Sequence, residues 1–222
     1  MEKGLSVENL KAYYFANNNV IKAVDDVSFT LNEGESFGIA GESACGKSTL
    51  GLCIMRMLQS PGKIVDGKII MNSIDILAMS DKEFTKNTRW KRISMIFQGA
   101  MNALDPVYSI KDQLKEVLTQ HGFPQKNIDT RIREVIKQVG LNPSVVNRYP
   151  HELSGGMKQR IVIAMALLLE PEFVIADEPT TALDVLVQAQ IINLLKKLKK
   201  KGMSIMLITH DLAIISEIAS FT

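Results

Sequence analysis

Gly41-Glu42-Ser43-Ala44-Cys45-Gly46-Lys47-Ser48-Thr49 sets two glycines, a lysine and two hydroxyls at the spacing G-x-x-x-x-G-K-[ST]. Gly41 and Gly46 let the backbone turn its N–H groups inward around an anion. A helical pattern follows, with Leu50, Ile54, Met57 and Leu58 at intervals of three to four residues. The start of that helix aims unpaired N–H groups and the positive dipole end at the same point. Lys47 is the cation for β- and γ-phosphates, and the Ser48 hydroxyl is a ligand for Mg²⁺. The chemistry expected here is binding of a nucleoside triphosphate.

A second cluster of chemistry lies at Phe173-Val174-Ile175-Ala176-Asp177-Glu178-Pro179, an apolar run ending in two carboxylates. Ligands of open α/β sheets bind beyond the carboxyl ends of strands, so both acids are expected to face the phosphate loop. Asp177 is then placed to hold Mg²⁺ and Glu178 to polarise a water. A third cluster is His151-Glu152-Leu153-Ser154-Gly155-Gly156-Met157-Lys158-Gln159-Arg160. Ser154 is a good N-cap for a helix reaching Leu169, and that helix start is a second, separate place for an anion.

The elements that must position these residues read as follows. Leu5, Val7 and Leu10 begin a strand running into Tyr13-Tyr14-Phe15, Asn17-Asn18-Asn19 is a loop, and Val27, Phe29 and Leu31 alternate as in a half-buried strand. On pattern alone Tyr14 is a packing aromatic in a strand. Asn32-Glu33-Gly34-Glu35 turns the chain into Phe37-Gly38-Ile39-Ala40, the strand before the loop. Ile64-Val65, Asp66-Gly67 and Lys68 to Met71 read as a hairpin with a type I′ turn. Met95-Ile96-Phe97 is a short strand with Gln98 at its polar end.

From Met101 to Pro150 the pattern turns helical and charged. One face carries Ile110, Leu114, Val117 and Leu118, another Ile132, Val135, Ile136 and Val139, and Pro106, Pro124 and Pro143 punctuate them. Val187, Ile191, Leu194, Leu195 and Leu198 line a further helix, whose basic end Lys196-Lys197 and Lys199-Lys200-Lys201 complements its dipole before Gly202. Ser204 to Ile208 is the last buried strand, with His210 just beyond it. The fold class expected is α/β: a P-loop NTPase core with an N-terminal antiparallel β-subdomain and an inserted α-helical subdomain over about residues 100–160, all in one domain spanning 1–222.

Composition narrows the class of protein. With 26 basic and 24 acidic residues the formal charge is +2, which gives no bulk attraction for nucleic acid. The longest apolar run, Ile161 to Leu169, is too short to span a bilayer, and the segment after Met1-Glu2-Lys3-Gly4 lacks the apolar core of a signal peptide. A cytosolic chain is expected, with membrane association only through a partner. Cys45 and Cys53, separated by about 12 Å of helical rise, are too far apart for a disulfide and fit a reducing compartment.

With all these residues in view, the chain resembles the ATP-binding subunit of an ABC transporter. Leu153-Ser154-Gly155-Gly156-Met157-Lys158-Gln159-Arg160 is similar to that family's signature motif, and the other motifs fall in the family order. Gly41 to Thr49 matches the Walker A loop, Gln98 the Q-loop glutamine, and Phe173 to Glu178 the Walker B strand. Ala182-Leu183-Asp184 matches the D-loop, His210 the switch histidine, and Tyr14 the adenine-stacking aromatic. Gly41-Glu42-Ser43, Phe97-Gln98-Gly99-Ala100-Met101-Asn102-Ala103-Leu104-Asp105-Pro106 and Tyr149-Pro150-His151-Glu152 look most like the oligopeptide/dipeptide/nickel importers, Asp105 standing where Asn is usual. Family chains continue past the switch histidine, so a chain ending at Thr222 is expected to be shortened.

The resemblance implies an Mg²⁺-dependent ATPase at the cytoplasmic face of a membrane. It implies a second ATP-binding subunit, identical or not, permease subunits, and, indirectly, an extracytoplasmic solute-binding protein, with no nucleic acid. Glu178 becomes the general base, His210 and Lys47 act on the γ-phosphate, and Gln98 senses Mg²⁺ beside Ser48 and Asp177. ATP lies on Tyr14 and on Gly41, Glu42, Ser43, Ala44, Cys45, Gly46, Lys47, Ser48 and Thr49 of one chain, beneath Ser154, Gly155, Gly156 and Asp184 of the other. The competing expectation is a soluble ABC-type ATPase with a non-transport role. Such proteins carry coiled coils, zinc modules or tandem nucleotide domains, none of which stands out in this sequence.

Overall fold

The structure, a computed structural model, describes residues 4–16 and 19–219, the side chains at 100 and 101 excepted. Of the expected Asn17-Asn18-Asn19 loop, the first two residues lie outside the described residues. Asn19 opens a strand.

Two sheets organise the chain. β1 (Gly4–Ala16), β2 (Asn19–Asn32), β4 (Gly62–Met71) and β5 (Ile74–Asp75) form an antiparallel sheet in the order β2-β1-β4-β5. β3 (Ser36–Ala40), β6 (Ile93–Ile96), β7 (Phe173–Asp177) and β8 (Ser204–Thr209) form a parallel sheet in the order β3-β8-β7-β6. Every residue of β6, β7 and β8 is buried, as a parallel sheet covered on both faces requires.

Strand alternation splits the core in two. Phe173 and Ile175 of β7, with Met206 and Ile208 of β8, pack toward the antiparallel sheet and α1 (Lys47–Ile54). Val174 and Ala176, with Ile205 and Leu207, pack on the opposite face, against α5 (Gly155–Leu167) and α6 (Val185–Lys200). Asp177 continues the α1-facing series, so its carboxylate emerges beside the phosphate loop.

Between β6 and β7 stand α3 (Ile110–Gln120) and α4 (Ile128–Gln138), which pack with α5 through Leu114, Leu118, Ile132 and Val135. The Ser109 hydroxyl caps α3 by accepting from Asp112 N–H. Arg131 of α4 donates to the carbonyls of Leu167 and Leu168, each at 2.8 Å. That side chain satisfies the end of α5, which stops at Leu167 instead of running to Leu169. No helix among the described residues is long and apolar enough to cross a membrane.

Two local expectations are corrected. Asp66-Gly67 is not a hairpin turn: β4 runs straight through it. Gly67 sits at φ 100° where the β1–β4 register slips, and a Cβ there would lie 2.5 Å from the Leu10 Cα. Two residues of β1, left-handed Asn9 (φ 47°) and Leu10, stand opposite Gly67 alone, so the bulge lies on β1. The two-residue turn lies later, at Asn72-Ser73 (φ 48° and 69°), joining β4 to β5. The other correction is α1, which ends at Ile54, before Met57 and Leu58. Arg56 turns left-handed at φ 50°, and Arg89 takes the carbonyls of Met55 and Arg56 at 3.2 and 3.1 Å.

Candidate nucleotide site

β3 delivers the chain into the loop of residues 41–46, and α1 takes it away. Gly46 is the residue before the helix, at φ 96°, and has no side-chain cap. A Cβ there would come within 1.9 Å of the Ala23 carbonyl oxygen, so glycine is required both by conformation and by space. Lacking a side-chain cap, the first N–H groups of α1 stay available to a bound anion. Lys47 is 8% exposed, and its ammonium donates to the carbonyls of Gly41 (2.7 Å) and Glu42 (2.5 Å). The lysine therefore lies folded across the loop, its stem buried and its charge at the loop mouth.

β7 supplies the acids. Asp177 is 3% exposed, and its Oδ1 is buried without a hydrogen-bond partner. Burial pushes its carboxyl above the ordinary carboxylate range; Ser48 pulls it part of the way back, the Glu178 charge adds to the rise, and Lys47 opposes it. An acceptor left unpaired at such a depth is costly unless something else satisfies it. A divalent cation fits that role beside the Ser48 hydroxyl and Gln98. Among the described residues no three His, Cys, Asp or Glu side chains cluster as a metal cage. Phosphate oxygens and water would complete the shell, the ordinary way of holding Mg²⁺.

Glu178 leaves the strand in a left-handed conformation, φ 45°. Its side chain is 12% exposed. Oε2 accepts from Gln98 Nε2 at 3.0 Å and from the Thr181 hydroxyl at 2.8 Å. Oε1 stands 3.3 Å from Nδ1 of His210, whose side chain is 63% exposed at the end of β8. Three chain segments thus converge on one carboxylate.

A cavity of about 330 Å³ joins these parts, lined by Tyr14, Ile21, Ala23, Ser43, Ala44, Gly46, Lys47, Ser48, Thr49, Gln98 and Glu178. Its walls are one aromatic ring, the loop backbone, a lysine and a carboxylate, so it offers stacking, anion binding and a base in one space. Tyr14 also approaches the Thr49 hydroxyl, at 3.4 Å. Gly41 and Glu42 contribute the carbonyls that hold Lys47, and Cys45 Sγ lies 3.5 Å from the same ammonium while also lining a second cavity, about 390 Å³, with Val27, Phe29 and Phe37. Ser154, Gly155, Gly156 and Asp184 do not line the first cavity. Ser154 and Asp184 cap α5 and α6 through the N–H groups of Met157 and Val187.

Sequence reasoning missed Ile21, Ala23 and Thr181. Ile21 and Ala23 carry no chemical signal in sequence and reach the cavity because β2 pairs with β1, Ile21 opposite Tyr14. Thr181 is a visible hydroxyl three residues after Glu178, but that spacing alone does not mark the two as partners.

A phosphate loop between a parallel strand and a helix, with paired acids ending the neighbouring strand but one, defines a P-loop nucleoside-triphosphate-binding protein. Comparison with known proteins narrows this. The pattern described as ABC transporter matches residues 24–181, and the chain belongs to that family. It is 46% identical over 224 residues to the dipeptide transport ATP-binding protein DppD of Bacillus subtilis (strain 168), covering 99% of this chain and 67% of that protein. It is 45% identical over 220 residues to the oligopeptide transport ATP-binding protein AppD of the same organism, covering 97% and 67%. Among solved structures, the dimeric post-hydrolysis state of the ATP-binding cassette MJ0796 bound to ADP and Pi superposes with TM-score 0.83 at 29% identity, covering 96% of this chain and 90% of that one.

Proposed function

We propose that this chain is the ATP-binding, ATP-hydrolysing subunit of an ABC importer that energises uptake of peptides or a related small solute through permease subunits. It works at the cytoplasmic face of the membrane, supplied by an extracytoplasmic solute-binding protein. The observation carrying the chemistry is the Glu178 carboxylate, held by Gln98 and Thr181 at the edge of the phosphate-loop cavity with His210 beside its other oxygen. The relatives' names supply the class of cargo.

In this reading the adenine lies on Tyr14 and the phosphates on the N–H groups of residues 43–49. Lys47 exchanges its carbonyl partners for β- and γ-phosphate oxygens. Ser48 and Asp177, with Gln98, hold Mg²⁺, which supplies charge neutralisation on the phosphate oxygens when bound. Water attacks the γ-phosphorus as the bond to the β-phosphate oxygen breaks, and its proton passes to Glu178. Lys47 and the loop N–H groups offset the charge that spreads over the transferring group. ADP and inorganic phosphate leave.

Ser154, Gly155, Gly156 and Asp184 serve an ATP bound to a second chain, which accounts for their place away from this chain's own cavity, with Ser154, Gly155 and Asp184 exposed. Glu178→Gln keeps the shape of the site and removes the base, at a cost of roughly 10²–10⁴-fold in rate. The expected result is an ATP-dependent dimer by light scattering that disappears when Ser154→Arg is added, with monomeric ATP binding intact. A monomer at every protein concentration, beside wild-type turnover strictly linear in protein, would refute the two-chain site.

A further inference from the structure

We infer that Thr181 is a positioning residue for hydrolysis: its hydroxyl orients the Glu178 carboxylate and selects Oε1 as the oxygen that takes the proton. The inference rests on the reading of Glu178 as the base.

Glu178 enters the turn after β7 in a left-handed conformation, so regular strand structure does not hold its side chain in place. Two links tie it to Thr181. The Thr181 N–H donates to the Glu178 carbonyl at 3.2 Å, and the Thr181 hydroxyl donates to Oε2 at 2.8 Å. A backbone bond and a side-chain bond between the same two residues close a small ring, which removes rotamer freedom from the carboxylate. Gln98 also donates to Oε2, at 3.0 Å, but comes from a segment 80 residues away in sequence. Thr181 travels with Glu178; Gln98 does so only while its own segment keeps its place.

The two carboxylate oxygens are consequently unequal. Oε2 is taken by two donors, and among the described residues Oε1 has only the His210 ring, at 3.3 Å. A base oxygen needs a lone pair free toward the attacking water, and Oε1 is the one that keeps it. Removing the hydroxyl frees the carboxylate to rotate and to present either oxygen. Most of the lost rate then comes from misorientation, since proximity terms are steep in angle and distance. The phosphate loop is untouched, so ATP binding stays as it is.

The test compares Thr181→Val, which keeps shape and loses the hydroxyl, with Thr181→Ser, which keeps the hydroxyl, in wild-type and Glu178→Gln backgrounds. Steady-state ATP hydrolysis and ATP binding by fluorescence titration are read for each. Thr181→Val should lower kcat about 10-fold, the loss expected for one charge-assisted hydrogen bond, with KM unchanged. Thr181→Ser should restore the rate to within about twofold, and in Glu178→Gln the Val change should cost less than about twofold. Thr181→Ala stands in if the Val variant does not fold.

The inference is overturned by a wild-type kcat in Thr181→Val, by a loss confined to KM, by Ser failing to rescue, or by the same factor lost in both backgrounds. A Glu178→Gln protein that turns over at the wild-type rate overturns the base itself. An inactive Glu178→Gln beside a fully active Thr181→Val overturns only the positioning role.

Discussion

Replacing Lys47 by Met keeps the buried stem and removes the charge, so it isolates what the ammonium does. In the structure that ammonium is bound to the Gly41 and Glu42 carbonyls at 2.7 and 2.5 Å. To hold a triphosphate it must exchange or share those partners. One unit charge pair at about 4 Å is worth about 4 kcal/mol at an effective dielectric near 20. Giving up one of the two carbonyl bonds while sharing the other offsets about 1.5–2 kcal/mol of this, the lower part of the range for a hydrogen bond to a charged group. About 2–2.5 kcal/mol remains, which weakens ATP binding by roughly 30–70-fold.

Turnover should fall further than binding, by about 10²–10³-fold, because the γ-phosphate carries its largest charge demand in the transition state. AMP is the internal control. It engages Tyr14 and the cavity wall but has no β- or γ-phosphate, so its affinity should be the same in wild type and variant. The assay is equilibrium titration with ATP, ADP and AMP, followed by steady-state hydrolysis. Equal losses for ATP and AMP would mean that the loop has collapsed and that charge is not the cause. Undiminished ATP affinity would refute the placement of Lys47 on the phosphates altogether.

Three further outcomes follow from individual side chains. Maleimide should label exposed Cys45 and be slowed there by bound ATP, while Cys53, whose thiol is pushed up to about 12 by burial, reacts slowly in either case; labelling of Cys45 at the same rate with and without saturating MgATP would refute the assignment. Tyr14→Ala should weaken ATP binding by about 1–2 kcal/mol, as for base–aromatic stacking, and Tyr14→Phe should be close to neutral because the hydroxyl's contact with Thr49 is long at 3.4 Å. Asp177→Asn should abolish hydrolysis yet raise the Tm of nucleotide-free protein at neutral pH. A raised carboxyl binds its proton more tightly in the folded state, so stability is greatest below the usual carboxylate range and falls as pH rises toward the raised value. Melting curves at pH 3.5 and pH 7.5 check this: the advantage of Asn must shrink at the lower pH.

The parts of the site legible in sequence are those fixed by local chemistry. The phosphate loop announces itself because two glycines, a lysine and a hydroxyl must follow one another to wrap an anion. Ser154 reads as a cap because capping needs only the next three residues. The misread features depend on distant partners. Asp-Gly is the same dipeptide in a turn or opposite a bulge, and what selects the second is left-handed Asn9 on the neighbouring strand. The end of α1 depends on Arg89, 33 residues beyond Arg56. Ile21 and Ala23 enter the cavity by strand register, which no short-range pattern encodes. Thr181 was visible as a residue type but not as a partner, since the bond to Glu178 depends on the left-handed turn between them.

The arrangement of helix starts is the strongest physical reason for a two-chain site. A Cβ on Gly156 would lie 2.6 Å from Val187 Cγ1, so glycine there lets the first turn of α5 sit directly on the first turn of α6. Ser154 and Asp184, the caps of those two helices, are thereby brought onto one face with two positive dipole ends side by side. Next to them Val185 and Leu186 are 82% and 70% exposed, a cost in water that a monomer gains nothing from. None of these residues lines the cavity that holds Lys47 and Glu178. A face that offers N–H groups to an anion and apolar side chains to a protein, yet has no phosphate loop of its own, is complementary to the loop of another copy. Paired head to tail, each chain would cover the other's γ-phosphate and bury the other's exposed Val185 and Leu186, so that ATP becomes part of the adhesive and its hydrolysis releases the pair.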